Sequence, residues 1–374
     1  APASAAPAAP PPPPGTPPPG APPPATAGAP AEAGGAPERK LTTIPTTRGL
    51  PVLVRVAIFF LELKSFDDAK GEFEATTDVR LRWTDPRLRF TPGEGMPAFR
   101  EYRGSAAEAQ LAGLWTPHEE VTNRIEAAPY VGRRLRVFAN GEVETITRTT
   151  AKYRAKVDAE KFPFDRQRLT LDVIIREETT DEVLLEVQRD DVEFSRAAST
   201  LELDGWTPSL VTLKTNTVAG WNGDRYSGAT ASLAVDRVPS TAFAPIFIPL
   251  IASLLIPLLA IWMNKANDDG FEIEAFELAN VTVGGLFSVI GLSFAVYSSY
   301  GVISQGDNTV SRLFGLNYVT LAASLGVVIL FFRFNVPRRL FGPYVQEELF
   351  EFLLWALPVL ALGASIAFVL VAAA

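Results

Sequence analysis

The chain has 374 residues, a formal net charge of -8 and a mean hydropathy of +0.14, which is apolar for a soluble protein. It holds no Cys and one histidine, His118, which excludes disulfides, thiolate or histidine zinc sites, and Ser-His-Asp or Cys-His catalysis. No basic domain appears, so nucleic acid is not an expected partner.

Residues 1–44 are Ala, Pro and Gly with almost no large apolar side chain. Such a stretch cannot bury a core and is expected to be a disordered tail with polyproline II character, serving as a spacer or as a Pro-rich ligand. Its opening run, "APASAAPAAPPPPPG", fits a mature chain cut after small residues, which places the next domain outside the cytoplasm; the alternative is a sequence that starts at an arbitrary point.

From Leu50 the pattern changes to period two. In "PVLVRVAIFFLEL" the side chains of Val52, Val54, Val56, Ile58 and Phe60 face one way, and "EATTDVRLRW", "RLTLDVII", "DEVLLEV", "TPSLVTLK" and "ATASLAVDR" read likewise. "ANGE", at 139–142, is a hairpin turn. Many short strands joined by turns predict an N-terminal antiparallel β-sandwich over 45–238.

Residues 239–374 hold four long apolar runs, near 243–263, 276–300, 313–332 and 349–371. Each approaches the ~20 residues that cross a bilayer as a helix, which predicts a four-helix transmembrane bundle. Pro245, Pro249 and Pro257 in the first are tolerated within a packed bundle. The connection "RFNVPRRLFGPY" carries Arg333, Arg338 and Arg339 and is assigned to the cytoplasm. An even number of spans then puts the β-domain and the C-terminus together on the outer side.

Several short motifs stand in order along the chain. "RWTDPRL" supplies Trp83, Asp85, Arg87 and Leu88, and "LWTPHEEVTN" supplies Trp115, Pro117 and Asn123 around His118. "KFPFDRQ" supplies Phe162, Pro163, Phe164, Asp165 and Gln167. Arg237 stands just before the first span, Pro249 and Trp262 lie within it, and "ELANVT" opens the second. In this order, with four spans behind them, these residues resemble the pentameric ligand-gated ion channels, or Cys-loop receptor family. The two Cys of animal receptors would fall at Ala155 and Leu169, so the likeness is to prokaryotic members that keep the loop without the disulfide; His118 replaces the family's usual Asp.

The resemblance implies a homopentamer in the lipid bilayer, a ligand-gated channel rather than an enzyme, with no cofactor. The Phe-Pro-Phe-Asp turn would hang from the sandwich onto the membrane domain. Asp165 is expected to meet Arg237, with Asp67 or Asp68 as the second anion, while Phe162, Pro163 and Phe164 wedge against helix ends. This gating interface couples the domains or merely glues them. A bacterial inner membrane, with the β-domain and both termini on the periplasmic side, is the expected location.

The second span is the least purely apolar. At about 100° per residue, Leu278, Thr282, Gly285, Leu286, Val289, Ser293, Val296 and Tyr300 share one face. That face either packs on other helices or, as the resemblance implies, lines the pore, with apolar rings that stop permeant ions by dewetting. Glu277 and Glu274 at its start would form an anionic ring that favours cations. Trp221 and Tyr226 in "GWNGDRYSG", with Tyr130, are the ligand-binding candidates. The runs "REETTDE" and "RDDVE" suit calcium as a modulator, or are solvated loops. Protons, calcium and a small organic ligand all remain open as the gating agent. The second functional reading is a non-conducting membrane receptor or scaffold of the same fold.

Overall fold

The computed structural model describes residues 41–262, 275–304 and 306–374, with the backbone alone for 257, 259, 260 and 275–279. The tail at 1–40 and the link "NKANDDG" lie outside the described residues.

Along the chain run β1 (Val52–Asp67), β2 (Glu72–Thr84), β3 (Phe99–Arg103), α1 (Ser105–Leu111), β4 (Glu119–Val121), β5 (Tyr130–Phe138), β6 (Glu142–Arg154), β7 (Arg166–Thr179), β8 (Val183–Glu186), α2 (Arg189–Phe194), β9 (Trp206–Ala219) and β10 (Arg225–Arg237). They form two sheets, ordered β3-β5-β6-β2-β1-β8 and β4-β7-β10-β9. The alternation in the sequence is what lets them face each other. Val54, Val56, Ile58 and Phe60 of β1 meet Leu169, Leu171, Val173 and Ile175 of β7 and Ala229, Ala231, Leu233 and Val235 of β10 in one buried core. At ~1.5–3 kcal/mol for each large apolar side chain, this core is what holds the sheets face to face.

The sandwich is antiparallel except at one edge. β8 pairs with β1 in parallel, Val52–Arg55 against Val183–Glu186. The chain leaves β7 in one sheet and enters β8 in the other through 180–182, so no hairpin dictates the direction of that pair. At the expected hairpin, Gly141 has φ +83°, and a Cβ there would come within 2.7 Å of the Asp85 carbonyl oxygen. Only glycine combines that backbone with that approach.

The helices are α3 (Ser240–Trp262), α4 (Ala275–Ser299), α5 (Thr309–Val327), α6 (Val336–Phe341) and α7 (Pro343–Ala373), with a π-helical turn, Val328–Arg333, ending α5. α5 starts four residues before its apolar run because Asn308 and Ser311 form a reciprocal cap that satisfies the first free backbone N–H groups. The connection before the last span contains α6, and α7 starts at Pro343 rather than near 349.

Among the described residues, three stretches are long and apolar enough to cross a membrane: Asn280–Ser299, Thr309–Arg333 and Pro343–Ala373. α3 is 23 residues long, about 35 Å at ~1.5 Å per residue, and so also matches a bilayer's ~30 Å core. Buried Asn317 of α5 donates to the Leu250 carbonyl at 3.0 Å and to Ser253 Oγ at 3.1 Å, which fastens α5 to α3. Phe352, Trp355, Leu360 and Ile366 of α7 are exposed, as suits a helix facing lipid.

Candidate gating junction and ligand pocket

Three chain segments meet where the strands end and the helices begin. The β1–β2 loop brings Asp68, the β6–β7 turn brings Phe162 and Asp165, and the end of β10 brings Arg237. Arg237 donates from Nε to Asp165 Oδ1 at 2.6 Å and from Nη2 to Asp165 Oδ2 at 3.1 Å. The same Nη2 donates to Asp68 Oδ2 at 2.6 Å. The guanidinium lies 4.7 Å from the Phe162 ring centroid and 4.1 Å from that of Trp206. Burial works against its charge, but the hydrogen bonds and attraction of Asp165, then of Asp68, outweigh that and hold its pKa above the usual arginine value.

Gln167 braces the turn. Its Nε2 donates to Asp165 Oδ2 at 2.5 Å and to the Asp158 carbonyl at 2.6 Å, while its Oε1 accepts from Asp158 N at 3.0 Å. Phe162 is fully buried, but among the helices rather than in the sandwich. It packs in a cluster with Ala242, Ile246 and Phe247 of α3 and stands edge-on to Tyr300 at 6.1 Å. Beside it, Gly301 comes so close to the β1–β2 loop that a Cβ would lie 3.0 Å from Ala69 Cβ.

Of the residues expected at this boundary, the structure brings Arg237, Asp165, Asp68 and Phe162 together, with Pro163 buried in the same turn. Asp67 does not join it: its carboxylate pairs with Lys70 at 2.7 Å inside its own turn. Phe164 is half-buried beside a surface cavity and does not wedge between helices. Trp206 belongs to the junction without being flagged by any motif. Its signal is positional, since it lies opposite Arg237 in the β9–β10 register.

The expected pore face divides. Thr282, Gly285, Val289 and Val296 are buried within the chain, with Val289 0% exposed, and Tyr300 lies beyond α4 against Phe162. The reason is close helix packing: a Cβ on Gly285 would come within 3.2 Å of Leu321 in α5 and 3.7 Å of Ile256 in α3. A side chain buried in its own bundle cannot face a pore in this arrangement. Leu286, 38% exposed, and half-buried Ser293 remain accessible beside exposed Phe287 and Phe294. The side chains of Glu277 and Leu278, and all of Glu274, lie outside the described residues.

Trp221 and Tyr226 share a cavity of about 700 Å³ on the four-stranded sheet, with Asp172, Arg176, Asn216 and Thr230. Tyr226 is 9% exposed and rests on Gly220, where a Cβ would sit 2.7 Å from its ring; Trp221 is 73% exposed. Tyr130 is elsewhere, exposed on β5 of the other sheet. The acidic run at 189–193 is not a free calcium cradle. Asp191 is buried between Arg55 and Arg80, and Asp190 faces Arg55 and Arg82. Among the described residues, no group of three or more His, Asp or Glu could hold a metal ion.

A second cavity, of about 530 Å³, is lined by His118, Glu119, Glu120, Arg133 and Arg176. Burial pushes the Glu119 carboxyl above the usual range, although Thr147 Oγ1 donates to it at 3.1 Å. The folded chain thus holds this proton more tightly than the unfolded chain, so stability falls as pH rises from the ordinary glutamate value through the raised one. Glu119→Gln should raise the unfolding temperature near neutral pH and flatten the pH dependence over that window, as thermal unfolding at several pH values would read.

Residues 40–239 match the neurotransmitter-gated ion-channel ligand binding domain. The chain belongs to the neurotransmitter-gated ion-channel family. This is the Cys-loop family, here without cysteines, and it is a family of channels rather than enzymes. The chain is 25% identical over 216 residues to a proton-gated ion channel of Gloeobacter violaceus, covering 58% of this chain and 57% of that one. It is 31% identical over 132 residues to gamma-aminobutyric acid receptor subunit pi of Rattus norvegicus, 34% of this chain and 28% of the relative. It is 24% identical over 224 residues to a glutamate-gated chloride channel of Drosophila melanogaster, 58% and 46% of the two chains. The matched stretches thus span little more than half of the first channel and less than half of the other two.

Proposed function

We propose that the chain is one of five identical subunits of a ligand-gated cation channel in a bacterial inner membrane, with the β-domain and both termini on the periplasmic side. The observation that carries this reading is the Arg237 node. A buried guanidinium ends the last strand, binds carboxylates from two other segments, and rests on a Phe that is packed among the helices. Movement of the sandwich must therefore reach α3 and the α4–α5 connection. The cavity holding Trp221 and Tyr226 is the ligand site of this reading. In this reading Tyr130, exposed on the other sheet, contributes to the site of a neighbouring subunit.

α4 supplies the pore in this reading, through the side that carries Leu286 and Ser293, flanked by Phe287 and Phe294. Cation preference is supported by Glu274 and Glu277 at its start and by the absence of Lys and Arg from 275 to 299. The chain has no native Cys, so single cysteines can be introduced along 282–298 without a background. Cysteines at Leu286 and Phe287 should react with a water-borne thiol reagent and block current, whereas Val289→Cys should stay unreactive. Reaction at Val289 with none at Leu286 would reject this wall, and the absence of block anywhere would reject α4 as the pore helix.

A further inference from the structure

His118 is the only histidine in the chain, and it stands against two carboxylates. Its Nδ1 lies 3.2 Å from Glu178 Oε1 and 3.3 Å from Glu177 Oε2. Glu178 is buried, and its Oε1 also accepts Trp115 Nε1–H at 3.2 Å. Its Oε2 is buried with no hydrogen-bond partner among the described residues. A buried acceptor left empty is destabilising. A positive charge on His118 would face both carboxylates, and histidine is the side chain whose ordinary titration range lies between about pH 5 and 8.

The surroundings are mixed in charge. β4 presents Glu119 and Glu120, and β7 presents Arg176, which is bound to Glu120. β5 presents Arg133 and Arg134, and α1 presents Glu108. The His118 carbonyl accepts Arg176 N at 3.1 Å, so the histidine is tied to β7 by backbone as well as side chain. The same strand end reaches the ligand cavity. Arg176 lines both cavities, Thr179 pairs with Tyr226, and Thr180 N donates to the Arg225 carbonyl at 2.8 Å.

We propose that His118, Glu177 and Glu178 form a proton-binding site behind the ligand pocket, and that acid tightens this clasp and so fixes the strand end that carries Arg176. The effect on gating rests on the channel reading; the proton site itself does not. The test uses the full chain in detergent or lipid. Diethyl pyrocarbonate reacts with neutral imidazole, and read by the absorbance of the carbethoxylated imidazole it reports His118 alone, the one histidine of the chain. The midpoint of its labelling rate against pH should move to lower pH in both Glu177→Gln and Glu178→Gln, since each removes an anion facing the imidazole. An unchanged midpoint in either variant would overturn the proposal. Current recorded on the same reconstituted protein separates the two readings. Acid-dependent current that is lost in His118→Gln supports the coupling. Acid-dependent current that persists unchanged in His118→Gln overturns the coupling. Silence with the labelling shift intact counts against the channel reading and leaves the proton site standing.

Discussion

Arg237→Ala abolishes channel opening while pentamers still form: this is the expected result at the junction. The substitution leaves Asp165 almost buried and without its cation, a change that costs about 3–5 kcal/mol when a buried pair loses one member. Gln167 still donates to Asp165, which keeps the turn in shape but supplies no charge. Stability and coupling can therefore be separated. In Arg237→Ala with Asp165→Asn, the uncompensated charge is gone and thermal stability should return most of the way, while current stays absent. Arg237→Lys should also gate poorly, because an ammonium cannot make the forked contact with Asp165 and lie over Phe162 and Trp206 together. Normal opening in the double variant would show that the node only holds the domains together.

Phe162→Ala is the second large effect. The ring is fully buried among α3 residues and faces Tyr300, so its removal opens a cavity at the domain boundary and should cost about 3–5 kcal/mol. It also removes one of the two aromatic faces beside Arg237, a contact worth about 0.5–2 kcal/mol. Phe162→Leu refills much of the space without the ring. Comparing the two by thermal unfolding and by the ligand or proton concentration for half-activation separates packing from the cation contact. Leu should restore most of the stability and leave activation shifted; equal activation in Leu and wild type would remove the ring from the gating path.

Much of this junction is legible in the sequence because local chemistry dictates it. A Pro turn between two Phe, an Asp after it, and an Arg at the mouth of an apolar run are short-range signals. The period-two stretches likewise predict β1, β7 and β10, since side chains that alternate along a strand must bury one face. The choice between Asp67 and Asp68 is not legible. It depends on the turn, where Lys70 captures Asp67 and leaves Asp68 to Arg237. The α4 face departs from expectation for a related reason. A helical stripe gives relative directions but not which stripe its neighbours cover, and Gly285 lets α3 and α5 cover the stripe containing Val289. The parallel β1–β8 pair and the place of Trp206 depend on register between strands, which no local pattern carries.

A gated cation pathway through this chain is tested most directly by current from purified protein in a planar bilayer, with opposed sodium and chloride gradients, as pH is stepped from neutral to acid and calcium is varied. The expected result is a gated current whose reversal potential follows sodium and which disappears in Arg237→Ala. A reversal potential that follows chloride would contradict the cation assignment to Glu274 and Glu277, and silence from verified pentamers under every condition would favour a non-conducting receptor of the same fold.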